Sequence, residues 1–198
     1  MKVAITGGIG VGKSFVAKEL EARGIRVYDC DCAAKRLMKE KYELRLKLEA
    51  TVGKELYEND ELQKGLLARF LLECEENKHA IDNIVHPYVA EDFGQSGIDW
   101  LESAILFEAH FDKRVKFDFI VCVTAPLTVR IQRIMQRDHI SKSKAAEWIE
   151  CQMPQNEMRR RSDFEIINDG ECCLSQQLDI LLKTLTEIKR VNRNKIIV

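Results

Sequence analysis

Short apolar runs alternate with amphipathic stretches along the chain, a pattern that predicts strands covered on both faces by helices. The first run is Lys2-Val3-Ala4-Ile5-Thr6, followed by Phe15, Val16 and Leu20 at helical spacing up to Gly24, and then by the β-rich Ile25-Arg26-Val27-Tyr28. From Ala33 to about Val89 the sequence is charged and helical, with apolar stripes at Leu44 and Leu48 and at Leu62, Leu66, Leu67, Phe70 and Leu71, and no strand is expected there. Alternation resumes with a third strand over Ser103-Ala104-Ile105-Leu106-Phe107 and a fourth over Phe117 to Val123. Pro126 opens an amphipathic helix that carries Val129 and Ile134 beside Arg130, Arg133 and Arg137. Residues 138 to 163 are polar, with one helical pattern near Ala145 to Cys151. A fifth strand over Phe164-Glu165-Ile166-Ile167, a turn at Asn168-Asp169-Gly170 and a closing helix from Leu174 to Ile188 follow, leaving 189–198 as an expected loose tail.

Composition narrows the class. The 198 residues suffice for one domain with an insertion. A net charge of −1, from 31 basic and 32 acidic residues, provides no general attraction for nucleic acid or an anionic membrane. No apolar stretch is long enough to span a bilayer, and a glycine-rich loop beginning at Gly7 leaves no room for a secretory leader, so a cytoplasmic protein is expected. The seven cysteines are odd in number and lack paired zinc-site spacing, which predicts reduced thiols. Cys30 and Cys32 are too few for a tetrahedral metal site and read as filler.

The candidate chemistry centres on Gly7-Gly8-Ile9-Gly10-Val11-Gly12-Lys13-Ser14, which fits G-x-x-x-x-G-K-[ST]. A glycine-rich turn between strand and helix presents backbone N–H groups to a polyphosphate, and the helix N-terminus adds its positive dipole end. Lys13 supplies a mobile charge and the Ser14 hydroxyl a ligand for Mg²⁺. The competing meaning is a glycine-rich turn that binds nothing, which the flanking strand and helix disfavour.

Other residues are ambiguous by themselves. Asp29 and Asp31 follow a strand end, where a carboxylate either accepts a proton from an attacking hydroxyl or caps the next helix. His86 precedes Pro87, marking either a ligand contact or a helix terminus. Arg133 and Arg137 share a helix face, either toward phosphate oxygens or toward solvent. The basic 138–161 segment reads as a lid that excludes water, or as a charged surface helix.

In chain order these pieces resemble the dephospho-CoA kinases, P-loop kinases that phosphorylate the ribose 3′-hydroxyl of dephospho-CoA with ATP. The family pattern T-G-G-I-G-x-G-K-[ST] is met by Thr6 to Ser14, D-A-D by Asp29-Cys30-Asp31, H-P by His86-Pro87 and P-L-L-F-E by Ala104 to Glu108. Arg133, Arg137-Asp138, Gln152, Asp163 and Asn168 keep the family's order and spacing. Departures are Ala104 for proline, Cys30 for alanine, Phe15 for threonine and Lys64 for arginine.

The resemblance implies an α/β fold: a three-layer α/β/α core with a five-stranded parallel sheet over 1–32, 101–137 and 162–198, a helical substrate domain over 33–100, and a lid over 138–161. It implies ATP contacts from Gly8, Ile9, Gly10, Val11, Gly12, Lys13, Ser14, Phe15 (through its backbone), Arg133, Arg137 and Asn168, with Mg²⁺ on Ser14. Lys13, Asp31 and Arg137 become the catalytic set, and Asp29, Asp31, His86, Phe107 and Glu108 the dephospho-CoA side. The expected partners are ATP and dephospho-CoA, with neither nucleic acid nor membrane. A monomer is favoured and an oligomer stays open. A kinase for another nucleoside or nucleotide hydroxyl, sharing loop and lid, is the alternative. A nucleotide switch is disfavoured because no N-K-x-D guanine motif occurs.

Overall fold

A computed structural model describes residues 1–196, with 192–196 described through their backbone alone. In chain order the elements are β1 (Val3–Thr6), α1 (Lys13–Glu21), β2 (Val27–Asp29), α2 (Cys30–Glu40), α3 (Tyr42–Val52), a 3-10 turn at Lys54–Leu56, β3 (Tyr57–Glu58), β4 (Glu61–Leu62), α4 (Lys64–Glu73) and α5 (Glu75–Gln95). Then come β5 (Trp100–Glu102), α6 (Phe111–Arg114), β6 (Phe119–Thr124), α7 (Leu127–Asp138), α8 (Lys142–Glu150), α9 (Gln155–Arg160), β7 (Phe164–Ile167) and α10 (Leu174–Ile196).

Five strands form one sheet in the order β2-β5-β1-β6-β7. β1 pairs in parallel with β5 on one edge, Val3 opposite Trp100, and with β6 on the other, Val3 opposite Phe119. Paired on both edges and covered by helices, β1 is buried at all four positions, which is why its sequence is continuously apolar rather than alternating. Strand order reverses at β1, because the chain continues to β2 and β5 on one side and to β6 and β7 on the other. The carboxyl end of such a strand is where open α/β sheets bind ligands.

The chain divides into two compact units. The first comprises Met1–Val27, Asp99–Glu108 and Lys116–Val198. Its core packs Val3, Ile5, Val121, Val123 and Ile166 of the sheet against Val16 and Leu20 of α1 and Leu178, Leu181 and Leu185 of α10. Each such aliphatic side chain contributes roughly 1.5–3 kcal/mol by leaving water. The second unit, Tyr28–Ile98 with Ala109–Val115, is helical and buries Leu37, Leu44, Leu48, Ile81, Val85, Val89, Phe93 and Phe111.

Several elements depart from the sequence reading. The third strand is not Ser103–Phe107 but Trp100–Glu102. Its register against β1 sets the end: Ile5 faces Glu102, Ser103 N–H donates to the Ile5 carbonyl at 3.0 Å, and β1 stops at Thr6. Beyond that point the apolar residues Leu106 and Phe107 are buried by turn packing rather than by the sheet.

The region expected to lack strands holds the hairpin β3–β4, turned by Asn59 and Asp60, both at positive φ. His86-Pro87 does not end a helix, since α5 runs through Pro87 to Gln95. The polar 138–163 segment has a second helix, α9. The closing helix continues to Ile196, so the expected tail is helical as far as it is described, and residues 197–198 lie outside the described residues.

Candidate active site

The Gly7–Ser14 loop joins β1 to α1 at the switch point of the sheet. Gly12 is the N-cap of α1, with φ 87°. A residue with a Cβ would be strained there, and that Cβ would collide with Asn168 Nδ2. Gly12 also has no side-chain oxygen to satisfy the first-turn N–H groups of α1, and no acidic residue lies in that turn. By contrast α2 and α8 are capped, Asp29 accepting from Cys32 N–H at 2.9 Å and Ser141 from Lys144 N–H at 3.2 Å. An uncapped helix start keeps donors open for an anion.

Side chains from α7 and from the residue that follows β7 hold the loop's carbonyl groups. Arg133 Nη1 donates to the carbonyls of Val11 at 3.2 Å and Asn168 at 2.9 Å, with Gly10 O at 3.4 Å. Asn168 Nδ2 donates to Val11 O at 2.8 Å, and its own N–H to Thr124 O at 2.8 Å. A trans peptide points C=O and N–H in opposite directions, so a Val11 carbonyl held this way turns the Gly12 N–H to the other side of the loop. Arg130 Nε donates to Ile9 O at 2.9 Å, while Ile9 N–H donates to Gln152 Oε1 at 2.6 Å.

Lys13 is 9% exposed and lies back along the loop, Nζ 3.5 Å from Gly8 O and 3.8 Å from Glu102 Oε1. Ser14 and Phe15 are exposed. Arg137 stands apart from these contacts: its side chain is 61% exposed and forks onto its neighbour Asp138, at 2.7 Å for Nη2–Oδ2 and 3.1 Å for Nε–Oδ1. That hydrogen bond holds the Asp138 carboxyl below its ordinary pKa.

Phe107 and Glu108 belong to the same unit. The Arg161 guanidinium carbon lies 4.0 Å above the Phe107 ring, and Glu108 Oε1 accepts from Met153 N–H at 3.1 Å. The second Glu108 oxygen is buried without a partner.

The remaining sequence candidates belong to the helical unit. Asp29 caps α2, and Asp31 is exposed in the first turn of that helix. Tyr28 OH donates to Asp92 Oδ2 at 2.6 Å, and Arg36 Nη2 donates to the same oxygen at 2.6 Å, fixing the start of α2 to α5. His86 is buried against Phe111, ring centroids 5.2 Å apart, with Nε2 3.7 Å from Asp82 and no partner for Nδ1. Burial, with the Arg114 charge second, pushes its pKa down to about 4.

Three residues gain a place that sequence reasoning had not given them. Glu102 was hidden because the strand it ends was expected to lie further along the chain. Arg130 was one of three basic residues on its helix and had no distinguishing spacing. Gln152 entered through the resemblance, without a partner.

A sequence profile of the family described as dephospho-CoA kinase matches residues 1–173. A dephospho-CoA kinase of Bacteroides fragilis is 38% identical over 185 residues, covering 90% of this chain and 89% of the relative. Among solved structures, a protein of Thermus thermophilus superposes with a TM-score of 0.77 at 30% identity, covering 94% of this chain and 96% of its own. A dephospho-CoA kinase of Campylobacter jejuni shares the fold, with a TM-score of 0.61 at 21% identity over 97% of this chain and 100% of its own.

Proposed function

The chain belongs to the dephospho-CoA kinase family, and from that premise we propose how its residues carry out ATP-dependent phosphorylation of dephospho-CoA in coenzyme A synthesis. One observation carries the reading: an uncapped helix start after a G-x-x-x-x-G-K-S loop, with the loop carbonyls held away by Arg130, Arg133 and Asn168.

Gly8 to Ser14 receive the ATP phosphates, with the backbone N–H of Phe15, which donates to Gly12 O at 3.1 Å, as a further shared donor. Lys13 leaves Glu102 for the incoming phosphoryl oxygens, a move favoured by the long 3.8 Å separation of that pair. Arg133 and Asn168 serve ATP by shaping the loop, since Arg133 Nη1 and Asn168 Nδ2 already hold the Val11 carbonyl. Arg137, exposed and bound only by a surface carboxylate, is free to exchange Asp138 for phosphate oxygens.

The residues fit Mg²⁺, because this cation draws most ligands from phosphate and water and needs only a protein oxygen such as the exposed Ser14 hydroxyl. When bound, the ion supplies charge neutralisation of the phosphate oxygens.

Asp31 accepts the proton of the ribose 3′-hydroxyl. As that oxygen bonds to the γ-phosphorus, the bond from phosphorus to the bridging oxygen breaks and ADP leaves. Asp29 keeps Asp31 in register by capping α2. His86, Phe107 and Glu108 belong to the dephospho-CoA side. The helical 33–100 stretch is the substrate domain, 138–161 the lid, and the remainder the nucleotide core.

No proposed step needs a second copy, which favours a monomer and leaves an oligomer open. Among the described residues no helix is long and apolar enough to cross a membrane, and reduced thiols suit a cytoplasmic site. The test is ADP release from Mg·ATP with dephospho-CoA, adenosine, AMP or no acceptor. Turnover with dephospho-CoA alone, yielding coenzyme A, supports the reading, and turnover with another acceptor overturns it.

A further inference from the structure

Arg130 lies on α7 and, at 6% exposed, is the one buried arginine among the described residues. Arg23, Arg137 and Arg159 each pair with a carboxylate. Among the described residues no carboxylate pairs with Arg130. Removing a cation from water costs several kcal/mol, and an unpaired one recovers little of that cost. Burial accordingly depresses its pKa, although a guanidinium remains charged at neutral pH.

The geometry shows what the buried charge faces. Arg130 Nε donates to Ile9 O at 2.9 Å. A second guanidinium nitrogen occupies the place that a Cβ on Gly8 would take, so a side chain at Gly8 would push the guanidinium from its present position. Holding the Ile9 carbonyl toward α7 turns the N–H of the next peptide, that of Gly10, to the opposite side. Arg133 and Asn168 do the same for the peptide between Val11 and Gly12. Two alternate N–H groups are thereby aimed the same way.

We propose that Arg130 is a positioning residue for the phosphate loop: its guanidinium holds the Ile9–Gly10 peptide with N–H toward the nucleotide phosphates, and its uncompensated charge beneath Gly8 and Ile9 strengthens their binding. The family resemblance does not carry this residue. The proposal rests on reading Gly7 to Ser14 as the phosphate loop, and it gives a reason for a cation at a buried position where methionine would fill similar space. The anion that offsets the buried charge is the polyphosphate itself, which arrives with the nucleotide.

The experiment compares Arg130→Met, Arg130→Gln and Arg130→Lys with the unaltered enzyme and with Lys13→Ala. It measures ATP and ADP dissociation constants by calorimetry, steady-state kcat and KM for both substrates, and thermal melting. Arg130→Met is expected to weaken ATP and ADP by about tenfold or more and to lower kcat, the size of a lost charge-assisted hydrogen bond, with the KM for dephospho-CoA within about twofold. Arg130→Lys, which keeps the charge, should recover part of the nucleotide affinity.

If Arg130→Met does not fold, Arg130→Gln carries the comparison, because it is neutral yet able to donate to Ile9 O, and it should lie below Arg130→Lys in affinity. Unchanged ATP affinity in a folded neutral variant, or equal losses for both substrates, overturns the proposal. Lys13→Ala separates the two levels of the argument. If it too leaves ATP binding intact, the phosphate-loop reading fails, whereas loss in Lys13→Ala alone refutes only the role of Arg130.

Discussion

Gln152 Oε1 accepts the backbone N–H of Ile9 at 2.6 Å, a bond between residues 143 apart in sequence. Because Ile9 also gives its carbonyl to Arg130, both polar groups of this residue are held by side chains from other elements. The turn carrying Gln152 is itself held by Glu108, through Met153 N–H at 3.1 Å. The phosphate loop is therefore tied to the segment between α8 and α9, and a change at Gln152 is expected to register in nucleotide binding.

Gln152→Leu leaves the Ile9 N–H without its acceptor, a loss of roughly 1–3 kcal/mol where water cannot replace it. Gln152→Glu preserves an acceptor but adds a negative charge beside a loop that receives phosphates. The expected result is a rise in the KM for ATP in both variants. The rise should be larger for Gln152→Glu and should shrink as salt is added, because only that variant adds a screenable repulsion. Steady-state kinetics at two ionic strengths checks this, and salt-insensitive, equal effects would contradict the arrangement.

Gly12→Ala tests the other anchor. At φ 87° an alanine is strained by about 1–2 kcal/mol, and its Cβ would displace Asn168 Nδ2 from Val11 O. A loss of a few kcal/mol in a chain of this size lowers Tm by several degrees, roughly 2–4 °C per kcal/mol. The expected outcome is a lower melting temperature together with an ATP KM raised by about tenfold or more, measured by calorimetry and initial rates. A melt and KM equal to those of the unaltered enzyme would show that the loop tolerates a side chain.

The sequence made the loop and most of the sheet legible because their signals are local. Val3 to Ile5 and Val121 to Val123 are apolar throughout, and the glycine spacing after Thr6 has few other meanings. The position of β5 was not legible, because strand ends depend on which partner residue is last in the ladder, here Ile5 of β1 opposite Glu102. Of the two meanings open for His86-Pro87, the helix terminus fails for a similar reason. The proline signal is weak within a helix that α2, α3 and α4 of its own unit pack against. At the site, residue types were readable but partners were not: nothing in the spacing of Arg130, Arg133 and Arg137 says that the first two hold loop carbonyls while the third pairs with Asp138.

Asp29 and Asp31 allow a cap to be separated from a proposed base. Asp29→Ala removes the hydrogen bond to Cys32 N–H and is expected to cost about 1 kcal/mol of stability, while Asp29→Asn keeps the cap. Asp31 is exposed and makes no comparable backbone bond, so Asp31→Asn should leave the melting temperature unchanged. If Asp31 accepts the hydroxyl proton, the same substitution should lower kcat by about 100-fold or more while the ATP dissociation constant stays within about twofold. Thermal melts and single-turnover rates check both, and a full rate in Asp31→Asn would remove it from the chemistry.

His86 predicts how stability depends on pH. Its folded-state pKa is pushed down from 6.5 to about 4, with burial the leading cause and the Arg114 charge next. Above pH 6.5 the imidazole is neutral in both folded and unfolded chains and contributes no pH dependence. As pH falls from 6.5 toward about 4, the unfolded chain takes up a proton that the folded chain refuses, so stability is lost across this window and the loss levels off below it. The size is on the order of 3 kcal/mol for a shift of this extent. His86→Gln has no group titrating there and should lose correspondingly less stability between pH 7 and pH 4.5, whatever its stability at pH 7. Urea unfolding of both proteins at those two pH values decides the matter, and parallel losses would mean that the buried imidazole already carries its proton when folded.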